Sequence, residues 1–128
     1  MRSLAQARRI LIVDDSSTSR MITRRCFEIA ASDSLTFHEA CDGAQALSML
    51  HEHEVDLIVT DINMPKMDGM TFVWKVKMNP RLESTPILVL SSMKNERMQS
   101  GLVGLGIAGF IQKPISPAKL ADLVGDPS

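Results

Sequence analysis

Short apolar runs recur along the chain, and the segments between them are long enough to hold a helix. Four runs are mostly continuous and rich in β-branched residues, as expected of strands covered on both faces: residues 10–13, 55–59, 87–90 and 107–111. A fifth run, residues 35–40, alternates apolar and polar side chains, which suits a less covered edge strand. The pattern predicts a five-stranded, largely parallel sheet.

The segments between these runs carry helix signals. Residues 70–77 have apolar side chains at helical spacing and stop just before Asn79-Pro80, since proline disfavours the helical conformation of its predecessor. A further helix is expected over residues 94–105. The candidate helix caps are Ser16, Ser17 or Thr18 for the first helix, Asp42 for the second, and Ser116, followed by Pro117, for the last.

The first helix is expected to place Ile22, Cys26 and Ile29 on one face, turned toward the core. With this helix, strands and helices alternate along the whole chain. Such an order implies right-handed crossovers and an α/β fold in which a doubly wound parallel sheet is covered by helices on both faces.

Length and charge narrow the possible functions. The chain has 128 residues, enough for one compact domain, and its formal net charge of -1 does not favour binding to nucleic acid or to an anionic membrane. The apolar runs are too short to span a membrane, so we expect no membrane insertion and a cytoplasmic location. Cys26 and Cys41 match no metal spacing and are expected to be reduced thiols.

Polar side chains follow four of the predicted strands. Asp14 and Asp15 come directly after the first run, Asp61 after the third, Ser91 after the fourth, and the fifth leads into Lys113. Ligands of open parallel sheets bind beyond the carboxyl ends of the strands. We therefore expect three carboxylates, a hydroxyl and an ammonium around one pocket.

The chemistry of this set indicates a phosphoryl site. Three clustered carboxylates repel one another unless a cation joins them, and Mg²⁺ is the hard cation that oxygen ligands suit. Lys113 is able to pair with a carboxylate or with a phosphoryl oxygen, and Ser91 is able to donate a hydrogen bond to one. Because a carboxylate can itself attack phosphorus, Asp61 is the candidate nucleophile.

Four stretches carry a resemblance to a known family. They are "ILIVDDSSTSR", "DLIVTDINMPKMDG", "PILVLSS" and "AGFIQKP", which occur in this order on successive predicted strands. Together they resemble the receiver domain of bacterial two-component response regulators, and "VDDSSTSR" looks like its chemotaxis-type members. The resemblance implies a single receiver domain over residues 1–128 with a core at about 8–124. It also implies a flavodoxin-like sheet in the order 2-1-3-4-5 and five helices.

The resemblance assigns roles to the residues at the strand ends. Asp61 resembles the phosphoacceptor, and Asp14 and Asp15 resemble the acidic pair that positions Mg²⁺ together with the backbone carbonyl of Asn63. Lys113 resembles the family's invariant lysine, followed by Pro114 in a cis peptide. The remaining positions that match are Ser91 and Phe110 as the switch pair, and Met64, Pro65 and Gly69 in the loop that shapes the site.

The implied function is a phosphorylation switch that is not an enzyme, apart from its own self-phosphorylation and self-dephosphorylation. Asp61 would receive a phosphoryl group from a sensor histidine kinase or phosphotransfer protein, and a downstream protein would read the changed surface. That surface comprises the fourth helix, fifth strand and fifth helix. We expect a monomer, or a dimer formed on activation. The alternative is a Mg²⁺-dependent phosphatase of the haloacid dehalogenase type, which would need an aspartate where this chain has Asn63.

Overall fold

Strands and helices alternate throughout the computed structural model, which describes residues 7–31, 34–64, 67–92 and 96–124. The predicted order is confirmed. The elements are β1 (Arg9–Val13), α1 (Ser17–Ala30), β2 (Thr36–Ala40), α2 (Gly43–Glu52), β3 (Leu57–Asp61), α3 (Gly69–Lys77), β4 (Ile87–Ser91), α4 (Glu96–Gly104), β5 (Gly109–Gln112) and α5 (Pro117–Val124). Pro65, and the predicted start of the fourth helix at residue 94, lie outside the described residues.

The five strands form one sheet in the order β2-β1-β3-β4-β5, and all four neighbouring pairs are parallel. The fold class and strand order implied by the sequence are therefore confirmed. The register places Val13 beside Thr60 and Asp61 beside Leu90. Consequently the carboxyl ends of β1, β3 and β4 lie next to one another at one edge of the sheet.

Both faces of the sheet are covered, as the continuous apolar runs predict. Leu11 and Val13 of β1 belong to a cluster shared with α2, α3 and α4, whereas Ile10 and Ile12 belong to one shared with α1 and α5. Alternate strand residues point to opposite faces, so a strand buried on both sides is apolar at every position. None of the described helices has the length and apolar character needed to cross a membrane.

The predicted inner face of α1 is wrong. Ile22 is 48% exposed and Ile29 is 57% exposed, while Thr23, Cys26 and Phe27 are buried. Only Cys26 belongs to both sets, because the buried stripe is centred about a quarter of a turn around the helix from Ile22. Apolar residues occur on both sides of this helix, so spacing alone did not distinguish the two orientations.

Two strands begin two residues later than predicted. β3 starts at Leu57 rather than at residue 55, because Asp56 is engaged with the first residue of β1: its N–H donates to the carbonyl of Arg9 at 2.8 Å. β5 starts at Gly109 rather than at residue 107, because the chain is still turning at Gly106, whose φ is +83°.

The predicted helix caps are confirmed. Ser16 Oγ accepts a hydrogen bond from the N–H of Ser19 at 3.2 Å, and Asp42 Oδ1 accepts one from the N–H of Gln45 at 2.7 Å. Ser116 Oγ accepts one in the same way at the start of α5. These oxygens satisfy N–H groups that have no partner within the first helical turn.

Asp56 lies at the edge of the sheet opposite the carboxyl ends, where it binds Arg9 through side chain and backbone. Arg9 Nη2 donates to Asp56 Oδ1 at 3.0 Å, and the N–H groups of Arg8 and Arg9 donate to Oδ2. Burial alone would raise the pKa of Asp56, but these hydrogen bonds outweigh burial and lower that pKa to about 2. The ionised carboxylate is thus stabilised in the folded state.

We expect Asp56→Asn to lower the free energy of unfolding at pH 7 by roughly 1–2 kcal/mol. A depressed pKa in the folded state stabilises the protein above the unfolded pKa, near 3.8, and this stabilisation disappears as the pH falls through about 2. The difference between wild type and variant should therefore shrink from pH 4 to pH 2 in urea unfolding curves. Asp122→Asn, at an exposed carboxylate of α5, is the control. A difference that did not vary with pH would contradict the prediction.

Candidate functional site

Three carboxylates converge at the carboxyl ends of β1 and β3. Asp14 and Asp61 are buried, Asp15 is exposed, and one oxygen of each lies within 4.8 Å of the others. The structure thus brings together the three aspartates that the sequence placed at one sheet edge. Carboxylate oxygens are the ligands that a hard divalent cation prefers, so the chemistry of this set fits Mg²⁺.

Lys113 reaches this cluster from the chain that follows β5. Its Nζ lies 2.9 Å from Asp61 Oδ2 and 3.1 Å from Asp14 Oδ2. Its backbone N–H donates to the carbonyl of Ser91 at 2.7 Å, and the Lys113-Pro114 peptide is cis, as expected. The ammonium therefore lies between two of the three carboxylates and compensates part of their charge.

The pKa of the Lys113 ammonium lies above its ordinary value. Burial alone would lower this pKa, because desolvation disfavours the charged form. The hydrogen bonds and charges of Asp61 and Asp14 outweigh that cost and raise the pKa. Lys113 is thus a fixed positive charge at neutral pH.

The first turn of α1 holds Asp14 in place. The N–H of Ser16 donates to Asp14 Oδ1 at 3.0 Å, and the hydroxyl of Ser19 donates to Oδ2 at 2.6 Å. Arg20 Nη1 donates to the backbone carbonyl of Asp14 at 2.6 Å, while its Nε binds Glu39 of β2 at 2.9 Å. These contacts fix both the side chain and the backbone of Asp14.

Ser19 is a member of this network that the sequence analysis missed. A signal was present, because residues three or four positions beyond a helix cap lie over its first turn, where they can face the preceding strand end. Serine there places a hydroxyl within reach of Asp14. The prediction treated the serines near residue 16 only as candidate caps.

The backbone of Asn63 forms a hydrogen bond with the side chain of Asp61. The N–H of Asn63 donates to Asp61 Oδ1 at 3.1 Å, so the two oxygens of Asp61 face two different donors, Asn63 and Lys113. The side chain of Asn63 is exposed. This arrangement orients the carboxylate of Asp61 toward the loop that follows β3.

The two predicted switch residues lie on neighbouring strands. Ser91 ends β4 and is buried, one position beyond Leu90, which pairs with Asp61. Phe110 is partly buried in β5 beside Val89 and packs against the cluster shared by α2, α3 and α4. The sheet therefore connects the end of β4 to the aromatic ring through directly paired backbone.

Comparison with known proteins gives a family for this arrangement. The response regulator receiver domain model matches residues 10–125 of the chain. The chain is 33% identical over 116 residues to the chemotaxis protein CheY of Pseudomonas aeruginosa, and the match covers 91% of this chain and 92% of that protein. It is 36% identical over 119 residues to the sensor histidine kinase CheAY of Helicobacter pylori, of which it spans 14%.

A solved structure agrees with these matches. The chemotaxis response regulator CheY4 of Vibrio cholerae superposes with a TM-score of 0.79 at 30% sequence identity, covering 90% of this chain and 93% of that chain. Family model, sequence relatives and fold thus point to the same class of protein. The chain belongs to the response regulator receiver domain family, which acts in two-component signalling.

Proposed function

We propose that residues 1–128 form a single receiver domain in which Asp61 accepts a phosphoryl group in a Mg²⁺-dependent step. The donor is the phosphohistidine of a sensor histidine kinase or phosphotransfer protein. The observation that carries this proposal is the contact of Asp61 with Lys113 at 2.9 Å inside the cluster formed with Asp14 and Asp15. Similarity to chemotaxis proteins supports a role in chemotaxis signalling.

The transfer is a displacement at phosphorus. A carboxylate oxygen of Asp61 forms a bond to phosphorus while the bond from phosphorus to the histidine nitrogen breaks. The imidazole leaves with the electron pair of that bond and is protonated. Asn63 and Lys113 hold the carboxylate in one orientation before the transfer, and Lys113 provides positive charge where phosphoryl oxygens gather.

Asp14, Asp15, Asp61 and the backbone carbonyl of Asn63 are the groups that would hold Mg²⁺. The cation would supply charge stabilisation to the phosphoryl oxygens. In its absence, Lys113 and the donors from α1 offset the repulsion among the carboxylates. The side chains of the site are therefore already arranged for the transfer before the cation binds.

The signal would leave the site through β4 and β5. A phosphoryl group on Asp61 adds roughly 1.5–2 negative charges and new acceptor oxygens, by analogy with hydroxyl phosphates. Ser91 would turn toward it, and Phe110 would follow into the space so opened. The surface of α4, β5 and α5 would change, and a downstream protein would bind it. We propose that the protein is a monomer and does not bind nucleic acid. The alternative to test is that it forms a dimer on activation.

The proposal is tested on the wild-type chain with phosphoramidate, a small-molecule phosphoryl donor. Intact mass should show the gain of one phosphoryl group when Mg²⁺ is present and no gain when the cation is chelated. Peptide mapping should locate the group on the peptide that contains Asp61. No mass gain, or a gain that does not depend on Mg²⁺, would overturn the proposal.

A further inference from the structure

Ser19 lies between the lysine and one carboxylate of the site. Its Oγ donates to Asp14 Oδ2 at 2.6 Å and accepts from Lys113 Nζ at 3.1 Å. A lysine ammonium has three N–H donors, and the structure gives Lys113 three acceptors: Asp14, Asp61 and Ser19. Ser19 is the one uncharged acceptor among them.

We propose that Ser19 is a positioning residue that holds the ammonium of Lys113 in the orientation needed to meet a phosphoryl group. This inference rests on the proposed function of Asp61. When a phosphoryl oxygen arrives, Lys113 exchanges Asp61 Oδ2 for it and keeps its contacts with Ser19 and Asp14. The Lys113 side chain then moves while its ammonium stays bound to Ser19 and Asp14, so it samples few other conformations.

The rigidity of the start of α1 makes Ser19 suitable as such an anchor. Its backbone N–H is bound by the capping Ser16 Oγ at 3.2 Å, and the N–H of Ser16 is bound by Asp14. The Lys113 side chain, in contrast, has four methylene groups and loses considerable rotamer freedom when it is held in place. Ser19 meets part of that cost before the phosphoryl donor binds.

The same hydroxyl has a second, opposite effect on Asp14. Its proton occupies a lone pair of Asp14 Oδ2, which already accepts from Lys113. A cation and this proton compete for the same electron density. Loss of the hydroxyl should therefore slow phosphorylation while leaving the affinity of Asp14 for a cation unchanged or higher.

The test compares Ser19→Ala with Ser19→Thr, which restores the hydroxyl. Ser19→Ala should lower the rate of phosphorylation by phosphoramidate at saturating Mg²⁺ at least about tenfold, the lower end of the range for one hydrogen bond to a charged group. Mg²⁺ affinity, measured by calorimetry without a phosphoryl donor, should be unchanged or tighter. Ser19→Thr should recover most of the rate. Ser17→Ala, at an exposed serine of the same turn, is the matched control.

A double-mutant cycle separates positioning from general damage. In a Lys113→Ala background, Ser19→Ala should change the rate less than twofold, because the group that it positions is gone. Equal losses with and without Lys113, a parallel loss of Mg²⁺ affinity, or an unchanged rate for Ser19→Ala would each overturn the inference. Failure of the proposed function would look different, since the wild type itself would then gain no phosphoryl group.

Discussion

Asp61→Asn will eliminate phosphorylation of the chain by small-molecule donors, a loss of roughly a thousandfold or more. The amide oxygen of asparagine is a poor nucleophile, so the bond to phosphorus does not form. The substitution keeps the volume of the side chain, and the amide oxygen is still able to accept from Lys113 or Asn63. The variant should therefore fold, and the loss should be chemical.

Intact mass after incubation with phosphoramidate and Mg²⁺ measures this effect directly. Asp122→Asn is the matched control, because it makes the same change at an exposed carboxylate of α5 and should be phosphorylated like wild type. Circular dichroism should show the same unfolding cooperativity for all three proteins. If Asp61→Asn gained a phosphoryl group as fast as wild type, the nucleophile would be another residue.

Gly69→Ala will destabilise the fold by roughly 1–3 kcal/mol, the usual cost of forcing extra volume into a packed site. A Cβ at this position would lie 2.5 Å from the Cα of Ile62 and 2.8 Å from the carbonyl oxygen of Asp61. Both are backbone atoms, so the clash is not relieved by a side-chain rotation. The N–H of Gly69 also donates to the carbonyl of Ile62 at 2.8 Å, which closes the loop after β3.

The control for this substitution should change the stability in the opposite direction. Gly104 ends α4, and a Cβ there would meet nothing within 4 Å. Gly104→Ala should leave stability unchanged or raise it by up to about 1 kcal/mol, because alanine restricts the unfolded chain and favours the helix. Urea unfolding midpoints measure both variants. Equal effects would show that the close approach at Gly69 costs nothing.

The strand ends were the part of the site that the sequence predicted well. Continuous apolar runs indicate buried parallel strands, and parallel strands bring their carboxyl ends together. Asp14, Asp61 and Lys113 follow from that rule although Lys113 lies 52 residues from Asp61 and 99 residues from Asp14 along the chain. The strand order itself came from the resemblance, since several orders satisfy the same apolar pattern.

Side-chain direction on helices was the part that the sequence did not predict. Ile22 and Thr23 are neighbours in α1, and the structure exposes the isoleucine and buries the threonine. Hydrophobicity favours the reverse, so the packing of the whole helix against the sheet overrides the preference of single residues. Ser19 lies one turn before Thr23 on the same side of α1, and it escaped notice for the same reason, because its role depends on the rotation of α1 about its axis.

The position of β5 ties the charge balance of the site to the integrity of an outer strand. Among the strands that the structure describes, β5 pairs only with β4, and it carries the chain into Lys113. If this strand frayed, the ammonium of Lys113 would move away with it. Asp14 and Asp61 would then face each other without the positive charge that they share. The repulsion between these two carboxylates would raise the free energy of the opened state and would therefore oppose the fraying of β5. Amide exchange in β5 should therefore report on the ionic state of Asp14, which follows β1, and of Asp61, which ends β3.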